Sequence, residues 1–84
     1  PEEHKDWRDK VKMINNGKRV ISHIERLVQR FPYIPKKITE GGKDRTITIT
    51  LKEINSILGK KKKKRDYKLL TDILRRFGIF LDIK

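Results

Sequence analysis

The sequence predicts an α+β domain of mainly helical character, with three or four helices and a small sheet. Three observations predict it. Apolar residues recur at helical spacing over residues 2–31 and again over 67–77. Residues 45–50, RTITIT, alternate threonine and isoleucine with the period of two that marks a strand. Thr50 and Glu53 then form a T-x-x-E capping box, which starts a short helix at once.

In chain order, Trp7, Val11 and Ile14 recur at intervals of four and three, and Val20 or Ile21, Ile24, Leu27, Val28 and Phe31 continue the stripe. Asn15, Asn16 and Gly17 interrupt it, so either two helices or one irregular helix is expected, ended by Phe31-Pro32. Residues 32–45, PYIPKKITEGGKDR, read as a loop or half of a hairpin that turns at Glu40-Gly41-Gly42-Lys43. Leu51, Ile54, Ile57 and Leu58 make the buried stripe of the capped helix, with Gly59 as its C-terminal cap. Tyr67, Leu70, Ile73, Leu74 and Phe77 share one face of the next helix, Gly78 closes it, and IFLDI reads as a last short strand.

The chain has 84 residues, enough for one domain over 1–84, in which 1–16 is an N-terminal extension or a dimerisation helix. Lys and Arg number 23 against 11 Asp and Glu, a net charge of +12. So basic a domain is expected to meet a polyanion, because displacing counterions from phosphates drives association. There is no cysteine, which excludes disulfides and thiol chemistry. No apolar run approaches the roughly 20 residues that span a bilayer, and PEEHKDWRDK is too charged for a signal peptide. An intracellular protein is expected, in cytoplasm or nucleoid, or in the nucleus of a eukaryote.

The order strand, capped helix, turn, longer helix, glycine, strand resembles the winged helix-turn-helix family over about residues 20–84. TLKEINSILG stands for its second helix, DYKLLTDILRRFG for its third, and RTITIT and IFLDI for its strands. The family's third helix carries apolar positions about eleven, eight and four residues before its closing glycine, where this chain has Tyr67, Leu70 and Leu74 before Gly78. The resemblance implies a winged-helix-like fold with a small antiparallel sheet, and duplex DNA as partner, in transcription regulation or replication. Two departures stand out. Gly59 to Gly78 is slightly longer than the family's spacing, and the surplus is lysine; nothing after IFLDI supplies a second wing strand. A basic hairpin carrying Lys36, Lys37, Lys43 and Arg45 is expected to act in its place.

That resemblance gives the run Lys60, Lys61, Lys62, Lys63, Lys64 and Arg65 a role: it is the turn and leading end of the recognition helix. The outward face of that helix carries Lys68, Thr71, Asp72 and Arg75, with Arg76 near its end; Asp72 is expected to pair with Lys68 or Arg75. Contacts dominated by lysine read charge better than base edges, so weak sequence discrimination is expected. A mobile solvated loop or an import signal is the plainer reading of the run.

RNA or single-stranded DNA is the next partner class, for which Tyr33 and Tyr67 are candidate stacking residues, Tyr67 being expected in the core. Trp7, Val11 and Ile14 are either core or the seam of a homodimer; a protein-interaction module would expose them. His4 and His23, Ser22 and Ser56 lie in no catalytic pattern, and no carboxylates pair as a metal site needs. No enzyme activity, cofactor, metal or small-molecule substrate is expected.

Overall fold

The computed structural model describes residues 6–14, 17–59 and 64–84. Its elements are α1 (Asp6–Lys12), a 3-10 turn (Gly17–Val20), α2 (Ile21–Arg30), α3 (Ile34–Glu40), β1 (Arg45–Ile49), α4 (Leu51–Leu58), α5 (Lys64–Arg76) and β2 (Ile79–Ile83). The fold is α+β and mainly helical. Among the described residues there are five α-helices, more than the three or four expected.

The extra helix is α3, which replaces the loop expected over 32–45. Pro35 sits at its first turn, where a missing N–H costs nothing, and Ile34 and Ile38 fall four apart on its buried side. Gly41, at φ 76°, ends it by donating its N–H to the Lys37 carbonyl. Lys36 and Lys37 are therefore helical and no basic hairpin forms.

α1 packs on α3 and the 3-10 turn. Trp7 and Val11 are 2% and 0% exposed and belong to the common core, while Ile14 is half-buried against it. This corrects the dimer seam: the stripe is consumed inside its own chain. Lys10 Nζ donates to the Thr39 carbonyl at 2.7 Å, and Arg8 pairs with Glu25 at 2.8 Å, tying α1 to α3 and α2.

Ile24 and Leu27 bury the inner face of α2, and Ile54 answers them from α4. Two side chains of α2 meet one carbonyl in the last turn of α4: Arg26 donates to the Ile57 oxygen at 2.7 Å, and His23 Nδ1 lies 3.3 Å from it. Thr50 caps α4, accepting from the Glu53 N–H at 3.1 Å while its hydroxyl reaches the Glu53 carboxylate. Leu51 is the first residue of α4, ahead of the turn that packs on α2, and it stands 56% exposed, outside the buried stripe expected of this helix.

The two strands run parallel, Arg45 opposite Ile79 and Ile49 opposite Ile83, not antiparallel as expected. The cause is the turn Phe77-Gly78. It folds β2 straight back along α5, so β2 begins where α5 ends, beside the start of β1, and Arg45 N–H donates to the Gly78 carbonyl at 2.7 Å. The ladder continues at the far end, where Lys84 donates to Ile49 and Leu51 to Lys84. Ile47, Ile49 and Ile79 are buried on the inner face, with Leu81 and Ile83 packed against the core. Thr46, Thr48 and Asp82 lie exposed on the other face beside half-buried Phe80.

Leu70, Ile73 and Leu74 anchor α5 in the core. Its first turn meets the 3-10 turn instead of the sheet, through Arg19 and Asp66, and this leaves Tyr67 at the rim, 37% exposed and not packed as expected. No helix among the described residues is long and apolar enough to cross a membrane.

Candidate nucleic-acid interface

The outer side of α5 exposes Lys68, Asp72, Arg75 and Arg76. Lys68 and Arg76 are eight positions apart, about 12 Å along the helix axis. Thr71 is half-buried and its hydroxyl donates to the Tyr67 carbonyl at 2.8 Å, so its proton is already committed to the helix backbone. Asp72 makes no ion pair with Lys68 or Arg75, against expectation. Arg75 instead stands over the Phe80 ring, 5.9 Å from its centroid, on the open face of the sheet.

Lys60, Lys61, Lys62 and Lys63 lie outside the described residues. Lys64 and Arg65 form the first turn of α5. Its N-terminal dipole favours negative charge there, and Asp66 supplies some, bonded to Arg19.

The second group of cations reaches the surface from three elements. Lys36 is exposed on α3, Lys43 in the loop after it, and Arg45 at the head of β1. Lys37 differs from its neighbour by a third of a helical turn and is buried, 9% exposed, with its ammonium donating to the Gly42 carbonyl at 2.7 Å. It therefore braces the 41–44 loop and is not a free phosphate contact, which corrects its place among the expected ligands.

The fold brings this group to the C-terminal end of α5. Arg76, Lys37, Gly42, Asp44 and Gly78 line one open pocket of about 280 Å³. Gly78 takes φ 76°, a conformation that strains any residue with a side chain, and an ideal Cβ on it would also come within 2.7 Å of Asp44 Oδ1 and 3.0 Å of Lys37 Nζ. Arg75, Arg76, Lys36, Lys43 and Arg45 thus flank one corner of the molecule, with Lys68 two turns back along α5.

These cations are electrostatically available. Among the described residues the ion pairs are Arg8–Glu25, Arg19–Asp66, Arg30–Glu53 and Lys84–Asp82. Lys36, Lys43, Arg45, Lys68, Arg75 and Arg76 enter none of them. No group of three or more His, Asp or Glu among the described residues is placed to hold a metal ion.

An aromatic ladder beside the basic corner was not foreseen from the sequence. Arg45 Cζ lies 3.5 Å from the centroid of the Tyr33 ring, Tyr33 meets Phe31 edge to face at 6.1 Å, and Arg30 stands over Phe31 at 5.4 Å. Tyr33 and Arg45 are twelve residues apart, and no local pattern links them. Comparison with protein-family models, with curated proteins and with solved structures finds no match to this chain.

Proposed function

We propose that this chain binds duplex DNA inside the cell, with α5 and the lysines that precede it in sequence set against the phosphates as the helix-turn-helix resemblance implies, in transcription regulation or replication. The observation that carries this reading is the unpaired state of Lys68, Arg75 and Arg76 on the exposed side of α5, in a chain of net charge +12. A solubilising surface would tie its cations into ion pairs; these three make none among the described residues, although Asp72 shares their face. The parallel sheet offers no wing, and Lys36, Lys43 and Arg45 at the end of α5 take that part. Binding is driven by counterion release and discriminates weakly between sequences.

The protein-interaction reading loses its support, because Trp7 and Val11, which it needs at the surface, are buried.

The test is a titration of a labelled duplex at several salt concentrations. Each lost phosphate contact lowers the slope of log affinity against log salt by about 0.9. Lys68→Gln/Arg75→Gln/Arg76→Gln, checked for native circular dichroism, is expected to flatten it by about 2 to 3. Replacing Lys61, Lys62, Lys63 and Lys64 by Ala flattens it further. An interaction indifferent to salt, or a slope untouched by both variants, overturns the reading.

A further inference from the structure

The corner where Tyr33 meets Arg45 offers more than charge. An open pocket of about 220 Å³ lies there, lined by Tyr33, Lys36, Lys37, Glu40, Lys43 and Arg45. Tyr33 is half-buried, held edge-on by Phe31, and its hydroxyl makes no hydrogen bond among the described residues. Arg45 covers the ring at 3.5 Å, the distance of stacked planes, and its guanidinium finds no carboxylate. Lys37 pins the loop beneath through Gly42, so Lys43 is presented from a braced turn. Lys36 and Lys43 stand exposed at the rim, and Glu40 is the single acidic side chain in the lining.

Aromatic rings and guanidinium planes stack on unpaired bases, which show a free face; bases inside a duplex show none. The pocket is smaller than the roughly 300 Å³ at which ligand sites usually begin. That suits one flat base with its phosphates left outside, where Lys36 and Lys43 lie. Its neighbour across Lys37 is the pocket of Arg76, at the end of the helix assigned above to duplex DNA.

We propose that Tyr33 and Arg45 form a stacking site for one unpaired nucleobase, so that the chain prefers a duplex that opens into single strand over a blunt one. The proposal rests on the nucleic-acid reading above, though not on its duplex part. Lys36 and Lys43 hold the flanking phosphates, and the base stacks on the exposed outer face of the Arg45 guanidinium, which Tyr33 backs at 3.5 Å and holds in plane.

The experiment compares three probes: a blunt duplex, the same duplex with a short single-stranded overhang, and the free strand. The proteins are the wild type, Tyr33→Phe and Tyr33→Leu, the last keeping an apolar side chain against Phe31. The overhang is expected to bind more tightly than the blunt end. Tyr33→Leu should weaken the overhang about 5- to 150-fold, the worth of one base stack, and leave the blunt duplex unchanged. Tyr33→Phe should behave as wild type. Should Tyr33→Leu fail to fold, Tyr33→Met gives the same comparison. If the wild type binds blunt and overhang equally, or if Tyr33→Leu weakens both alike, the stacking site is wrong and duplex binding stands. If overhang and free strand bind through Tyr33 while the blunt duplex does not, the duplex reading fails and the stacking site stands.

Discussion

Val11→Ala tests whether α1 belongs to the core of its own chain. Val11 is 0% exposed, one turn after Trp7, on a helix of seven residues. Removing two buried carbons costs about 1.6 kcal/mol in transfer free energy. A void of one or two methyl groups adds about 1 kcal/mol where the neighbours cannot close it. Alanine returns about 0.5 kcal/mol through its better helix propensity. The net loss is about 2 kcal/mol, against a total stability of about 4 to 13 kcal/mol for a domain of this length. At 4 to 8 °C per kcal/mol the melting midpoint falls by about 8 to 16 °C. Trp7 is the only tryptophan and is 2% exposed, so its emission reports the loss of this packing directly. Unfolding should be followed by Trp7 fluorescence and far-ultraviolet circular dichroism at two widely separated protein concentrations. The two probes should coincide, and the midpoint should not move with dilution. A midpoint that falls on dilution, with Val11→Ala shifting the sedimentation of the protein toward monomer, would refute the assignment and restore the stripe as a seam between copies.

Two further perturbations probe the ends of helices. Thr50→Ala removes the acceptor of the Glu53 N–H and should cost about 1 kcal/mol, seen as a lower midpoint and faster exchange of the Glu53 amide, with Thr50→Ser restoring both. Gly78→Ala places a side chain at φ 76° and within 2.7 Å of Asp44 Oδ1, so it should destabilise by about 2 kcal/mol, read from thermal or urea unfolding. The loss should shrink in an Asp44→Ala background, where the obstructing carboxylate is gone; an equal loss in both backgrounds would leave backbone conformation as the whole cause.

Features written within a few residues of one another were legible in the sequence. The Thr50–Glu53 box, the glycine caps Gly59 and Gly78, and the stripe Leu70, Ile73 and Leu74 needed only local rules, and the fold bears each of them out. Residues 32–45 were read as a loop or half-hairpin, although a proline such as Pro35 also opens helices, and so α3 was missed. Strand direction was not legible, because alternation of Thr and Ile carries no sign; the two-residue turn at Phe77-Gly78 sets it. Periodicity identifies the inward face of a helix but not how far the neighbouring element reaches, which is why Tyr67 and Leu51 sit at the rim. In the candidate site, Lys36, Lys43 and Arg45 were visible as charge and Tyr33 as a stacking candidate. Their gathering around one pocket depends on α3 and on the return of α5, which composition cannot express.

The parallel ladder also has a kinetic meaning. Arg45 pairs with Ile79 across the whole of α4 and α5, so its closure must wait for a long stretch of chain to be ordered first. The helices, whose contacts are local, should form early, and the sheet should close in the slow phase of refolding. Until it closes, Ile47 and Ile49, buried in the finished fold, would lie on an uncovered strand, the kind of segment through which chains aggregate. Lys43, Asp44 and Arg45 at its head and Lys52 just past its end leave a net positive charge around it. They keep two such strands from meeting edge to edge, as gatekeeper residues do. Part of the positive charge at this corner would therefore protect the chain on its way to the fold, before any partner is bound.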